Sequence, residues 1–453
     1  MYLLCMERTK IKELEKWLKS PRRKPLIVWG ARQVGKTYLV KELFAKRYFK
    51  DFVYIDLKKD SQARSYFSTT SNADDYLTYI EARYGKRLNS ERLLIFDEVQ
   101  QCHQVLSALK YFCQDHREIP VIATGSLVRL SIKQQEKKDS SDEFLFPVGK
   151  VDSITVYPVS FEEYLMNVNP VLLKMIRDSY SKKSPLETPY HDMAMNLLHE
   201  YLTIGGLPEA LDVFIQEKSY VEARSVLKEV YENYLGDMDT YNISTEMILK
   251  TRNVYKNIFS QLNKENKNFK ISLLEKGKSN RDYFNAYEWL ELSHVIYRCK
   301  NLKGHVNLPF EEESAGLFRL YLADEGIFAY QSKVSQADFF VKERRNTLSG
   351  VFYENYVACE LAAKGIPLFY WTGKQTHEFE FIVYSGGKLY PLDVKKGKGN
   401  LGSLEEFREA NGKCTAIKIS SNNFGYNKEN DILTIPHYAV FLLAQEFFED
   451  GEI

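Results

Sequence analysis

The stretch Leu26-Ile-Val-Trp-Gly-Ala-Arg-Gln-Val-Gly-Lys-Thr37 decides how the rest of the chain is read. Four apolar residues run into Gly30 and end on Gly-Lys-Thr, which fits GxxxxGK[ST] in its required setting of strand before and helix after. The helix is announced by Leu39, Val40, Leu43 and Phe44 at helical spacing. Glycines at 30 and 35 let backbone N–H groups curl round phosphate oxygens, and the helix opening near Lys36 directs its positive end at them. Gly30, Ala31, Arg32, Gln33, Val34, Gly35, Lys36, Thr37 and Tyr38 are therefore the candidate nucleotide-binding residues, with ATP the expected ligand. Lys36 is expected to reach the β- and γ-phosphates and to serve catalysis, and the Thr37 hydroxyl to ligate Mg²⁺. The alternative is a glycine turn that matches by accident, and the flanking pattern weighs against it.

Working outward, apolar runs at Leu26 to Trp29, Phe52 to Leu57, Leu93 to Phe96 and Val121 to Thr124 alternate with helical patterns, which implies a parallel sheet covered by helices. The third run ends in Asp97-Glu98. Asp97 is the candidate metal residue, acting through the water shell of Mg²⁺, and Glu98 the candidate catalytic base that orients or deprotonates water. An acidic turn at a strand end is the alternative. At the next strand end, Thr124 and Ser126 are sensor candidates for the terminal phosphate, against a plain turn. The run Lys133 to Glu143 lacks apolar period and is expected to be a solvated loop.

From Ser160 to Tyr241 the apolar spacing is mainly helical, broken by Gly205-Gly-Leu-Pro208, and reads as a helical lid. Between Arg252 and Arg281, basic residues including Lys256, Lys264, Lys267, Lys270, Lys276 and Lys278 interleave with Tyr255, Phe259 and Phe269. Such a segment could track DNA; the competing reading is a solvated helix face with its aromatics packed inward. In the last stretch Glu354 falls on a helix, Glu380 begins a strand and Asp393-Val394-Lys395 ends the returning strand, with Gly386-Gly387 at the turn. Glu380 and Asp393 can then lie side by side across a hairpin and are expected to hold Mg²⁺ or Mn²⁺ weakly, with Lys395 facing an attacked phosphate.

The 453 residues suit two to four domains, and 44% hydrophobic content supplies packed cores. Lys+Arg number 62 and Asp+Glu 61, which excludes a whole-chain attraction to nucleic acid or anionic membrane, so any polyanion site is local. Six scattered cysteines and eight unclustered histidines argue against disulfides or structural zinc. With no transmembrane-length apolar run, a cytoplasmic location is expected and no membrane partner, while assembly into an oligomer stays open.

Taken in order, the blocks Gly30-Ala-Arg-Gln-Val-Gly-Lys-Thr37, Phe96-Asp-Glu-Val-Gln100, Thr124-Gly-Ser126, Pro158-Val-Ser-Phe-Glu162, Gly205-Gly-Leu-Pro208, Gly350-Val-Phe-Tyr-Glu-Asn355 and Ser403-Leu-Glu-Glu-Phe407 resemble the bacterial and archaeal AAA-type ATPases that end in the domain of unknown function DUF4143. Lys150 stands where that pattern commonly has arginine. The resemblance implies an α/β protein: an AAA-type P-loop NTPase core over 1–165, a helical lid over 166–240, a winged-helix-like segment over 241–345 and a DUF4143 domain over 346–453. That last part is expected to be α/β and similar to the PD-(D/E)xK nucleases, with Glu354, Glu380, Asp393 and Lys395 as the nuclease-like set, although Glu380 stands where aspartate is usual; a nuclease-derived fold kept for binding or for structure, with slow or absent DNA cleavage, is the alternative. The function expected is Mg²⁺-dependent ATP binding and hydrolysis that drives a conformational switch of the C-terminal half. A DNA-acting nuclease regulated by ATP, and an adaptor that binds nucleotide without turnover, are the alternatives.

Overall fold

The computed structural model describes residues 6–126, 147–241, 244–310, 316–334, 342–374, 377–394 and 401–451. The expected loop from Lys133 to Glu143 and the candidate Lys395 lie outside the described residues. Two compact units account for the chain: Met1–Pro158 with Leu292–His294, and Val159–Glu291 with Val295–Ile453.

The first unit is built on a parallel sheet of β1 (Leu26–Trp29), β2 (Asp51–Asp56), β3 (Arg92–Asp97), β4 (Val121–Thr124) and β5 (Asp152–Thr155). Its order is β2-β3-β4-β1-β5, and every pairing is parallel. Side chains alternate faces along a strand, so the burial of all four residues of β1 means that both faces are covered. One face packs Ile27, Trp29, Val53, Ile55, Leu94 and Phe96 against helices Ser61–Phe67, Ala73–Tyr84 and His103–Asp115 through Phe67, Tyr76, Ile80, Leu109 and Phe112. Because β4 separates β1 from β3, the loops leaving β1, β3 and β4 emerge together at one end of the sheet. Ligands of open parallel sheets sit at such a change of strand order.

The second unit opens with helices Phe161–Val168, Pro170–Lys182, Thr188–Ile204, Pro208–Glu217 and Tyr220–Tyr241. Ser160 starts the first with a reciprocal cap: its hydroxyl accepts from the Glu163 N–H, and the Glu163 carboxylate accepts from the Ser160 N–H. Gly205, at φ +78°, is required by a close approach, since a Cβ there would lie 2.2 Å from the Gly326 nitrogen. Buried Asp324 fastens the same spot, accepting from the Gly206 N–H at 2.7 Å and capping helix Glu325–Ser332 through the Ile327 N–H at 2.9 Å.

Two further sheets complete this unit. β6 (Ile296–Lys303), β7 (Phe318–Leu322), β8 (Phe369–Thr372) and β9 (Glu378–Phe379) are ordered β7-β6-β8-β9. β10 (Phe381–Ser385), β11 (Lys388–Val394), β12 (Ala416–Ser420), β13 (Gly425–Asn427) and β14 (Ile432–Pro436) are ordered β10-β11-β12-β14-β13. β6 pairs in parallel with β8, and helix Lys342–Ala363 lies between them in sequence. This sheet therefore draws strands from both sides of residue 345.

Candidate functional site

Gly30 leaves β1 at φ +139°, and a Cβ there would lie 2.2 Å from the Val156 carbonyl oxygen. Only glycine lets the loop pass this close to the backbone beyond β5. Gln33 (φ +64°) and Gly35 (φ +88°) also adopt left-handed conformations, so the loop curls tightly before the helical residues from Lys36 onward. A π-helical stretch over Tyr38–Ala45 follows and continues into an α-helical turn, Lys46–Tyr48. Lys36 is buried, and its Nζ donates back to the Gly30 carbonyl at 3.0 Å and the Ala31 carbonyl at 2.6 Å. The ammonium is thereby folded over the concave side of the loop.

Asp97 ends β3 and is buried. Its Oδ2 accepts from the Thr37 hydroxyl at 2.8 Å and from the Tyr54 hydroxyl at 2.8 Å; its Oδ1 accepts from the Glu98 N–H at 3.0 Å and from the Thr124 hydroxyl. Thr37, Asp97 and Thr124, from three separate elements, are thus brought together. Glu98 follows at φ +55°, a conformation costly for a residue with a side chain, and its carboxylate accepts from the Gln100 amide. Ser126 is buried just after β4. Burial and the neighbouring Asp97 carboxylate hold the Tyr54 phenol well above its ordinary pKa, which keeps it a neutral donor to Asp97.

Residues beyond the motifs also shape this site. Buried Arg8 donates to the Val34 carbonyl at 3.1 Å and the Tyr157 carbonyl at 2.7 Å, tying the loop to the backbone after β5. Arg8, Tyr54 and Gln100 carry no spacing signal; only the position of Gln100, two residues past Glu98, hints at its contact.

In the second unit, Glu354 and Glu380 converge, and Asp393 stands beside Glu380 one step past the Phe381↔Leu392 pair of the β10–β11 hairpin. The cations among them were not foreseen in this role. Lys267 Nζ lies 2.5 Å from Glu354 Oε2 and 3.4 Å from Glu380 Oε1. Buried Arg319 lies 3.3 Å from Glu354 Oε1 and 2.7 Å from Glu378 Oε2, with its guanidinium 4.2 Å from the Tyr370 ring centroid. The Tyr321 hydroxyl donates to Glu354 Oε1 at 2.6 Å, and the Val394 N–H to Glu380 Oε2 at 3.1 Å. Burial would raise Glu354, but Lys267 and Arg319 outweigh it and hold this carboxyl below its usual range. Burial pushes Glu380 up to about 7 against the pull of Lys267. Among the described residues, no group of three or more His, Cys, Asp and Glu side chains is placed to hold a metal ion. Lys267 Nζ stands against Glu380, one of the two carboxylates expected to hold metal weakly.

The basic segment divides in three dimensions into buried and exposed side chains. Tyr255 and Phe269 are buried and Phe259 is half-buried. Lys267 is withdrawn into the carboxylate cluster, while Lys256, Lys264, Lys270, Lys276, Lys278 and Arg281 are exposed. Among the described residues no helix is long and apolar enough to cross a membrane.

A parallel α/β sheet whose first strand feeds a glycine loop, with a lysine folded back on that loop and the next threonine bonded to an aspartate at the end of β3, defines the P-loop nucleotide-binding class. Known proteins agree. Residues 22–165 match the family model described as an AAA domain, 195–338 a domain of unknown function (DUF8612) and 349–438 a domain of unknown function (DUF4143). Residues 22–165 thus match an AAA-type ATPase domain and residues 349–438 a DUF4143 domain. Two uncharacterized proteins of Methanocaldococcus jannaschii are similar to it. MJ1637 is 24% identical over 254 residues, covering 52% of this chain and 50% of that protein; MJ1544 is 21% identical over 377 residues, covering 80% and 72%. The chain thus spans about half the length of the first relative. Among solved structures, a Walker-type ATPase of Pyrococcus abyssi is 15% identical with a TM-score of 0.42, covering 72% of this chain and 96% of that one. A Thermotoga maritima RuvB is 14% identical with a TM-score of 0.27, covering 65% and 90%.

Proposed function

We propose that the first unit binds ATP with Mg²⁺ and hydrolyses it, and that the nucleotide state switches the conformation of the C-terminal half. Lys36 folded over the glycine loop and Thr37 bonded to Asp97 carry this reading. In this reading the residues Gly30 to Tyr38 cradle the triphosphate, and Lys36 exchanges its two carbonyl partners for the β- and γ-phosphate oxygens. Thr37 and Asp97 fit Mg²⁺, a hard cation that takes oxygen ligands, because a hydroxyl and a carboxylate oxygen already meet at 2.8 Å. When bound there, Mg²⁺ would neutralise phosphate charge. Glu98 is the base that orients the attacking water and accepts its proton, and Thr124 and Ser126 sense the terminal phosphate.

The test is Glu98→Gln with radiolabelled ATP. The amide keeps the size and loses basicity, so ATP stays bound while phosphate release falls about 10²-fold or more. Parental turnover in this variant assigns water activation elsewhere; a parent that binds ATP and releases no phosphate is an adaptor.

A further inference from the structure

We infer that Lys267 is a resident cation of the C-terminal carboxylate cluster, taking the position a divalent metal would need, so that this domain holds its acidic residues for structure and not for metal-dependent cleavage. The nuclease-like resemblance implies a metal at Glu354, Glu380 and Asp393, and the donor set does not fit one. A hard cation needs carboxylate lone pairs directed at a common point. At Glu354 both oxygens are engaged: Oε1 by the Tyr321 hydroxyl and Arg319, Oε2 by Lys267 at 2.5 Å. At Glu380, Oε2 accepts from the Val394 N–H and Oε1 faces Lys267 at 3.4 Å. A divalent ion reaching both residues would displace the ammonium or sit within a few ångströms of it, where like charges in a buried setting repel strongly.

The lysine is also built in. Its two successors are both seated: the Asn268 amide oxygen accepts from the Tyr370 hydroxyl at 2.7 Å, and the Phe269 N–H donates to the Phe318 carbonyl at 2.8 Å. Three consecutive residues therefore fix this segment to β7, β8 and the carboxylates. Arg319, from β7 itself, supplies the second cation and bridges Glu354 to Glu378. Lys267 faces Glu354, Glu378 and Glu380, and Arg319 faces Glu354 and Glu378, so the cluster carries two cations of its own among its acids.

Two measurements on the full-length protein decide this. Electron paramagnetic resonance of free Mn²⁺, titrated without nucleotide, should give the same isotherm for the parent and for Glu380→Gln; one more Mn²⁺ bound by the parent overturns the inference. Lys267→Met should lower Tm by roughly 5–10 °C, because a buried carboxylate loses its partner. Adding Glu354→Gln should restore most of that loss. Additive losses in the double variant, or an unchanged Tm in Lys267→Met, overturn it. Should Lys267→Met alone fail to fold, a soluble double variant melting near the parent supports the inference, and an equally insoluble one sinks it.

Discussion

Lys36 shows how a single side chain can be ready for a ligand before meeting it. Its ammonium is buried and satisfied by two carbonyls of its own loop, so its desolvation is already met in the fold. Phosphate oxygens carry full charge and outcompete neutral carbonyls for such a donor. Lys36→Ala should therefore weaken ATP binding about 100-fold while leaving the fold intact, as read by fluorescent-nucleotide titration beside a melting curve. Unchanged affinity would remove Lys36 from the site. The motif residues were legible because GxxxxGK[ST] and a strand ending in Asp-Glu each state a chemistry in consecutive letters. Arg8 and Tyr54 were not, because their roles depend on which strand lies beside which. Lys267 reads in the sequence as a member of a basic run, and its place in the carboxylate cluster follows from a partner, Glu354, that lies 87 residues away.

Among the elements, the run of parallel strands was readable from alternating apolar runs and helical patterns, and the four strands expected in the first unit stand where they were read. β5 was missed: Asp152-Ser-Ile-Thr155 is short and partly polar, and it is recruited by pairing with β1. Gly205-Gly-Leu-Pro208 reads in the sequence as a turn between helices, and the structure adds why the first must be glycine. At φ +78° and ψ −167° Gly205 occupies backbone space that side chains avoid, with the Gly326 nitrogen against its open face. Gly205→Ala should destabilise the second unit by roughly 2 kcal/mol or more, measured by denaturant unfolding, since strain and overlap add. A loss under about 0.5 kcal/mol would mean that the backbone yields there.

For the molecule as a whole, several buried carboxyls of the second unit titrate far from their ordinary range. Burial raises Glu360 to about 7 and Asp324 to about 6. A carboxyl whose folded pKa exceeds its unfolded value stabilises below the unfolded value, and that contribution is lost as pH rises through the folded one. Glu360→Gln keeps an acceptor for the Phe161 N–H, 3.4 Å from Oε1 in the parent, and removes the titration. Tm of the parent should thus fall more between pH 5 and pH 8 than Tm of this variant; parallel curves would show that Glu360 contributes nothing. Buried His437, depressed well below its ordinary pKa, has the opposite sign and is common to both proteins, so the difference isolates Glu360. The pairing of β6 with β8 has a further consequence, for the order of events on the ribosome. The first sheet is complete once Thr155 has emerged, whereas one edge of β6 has no strand to pair with until Phe369–Thr372 is translated. Nascent chains stalled between residues 303 and 369 leave that edge of β6 without its partner, a state prone to pairing with other strands.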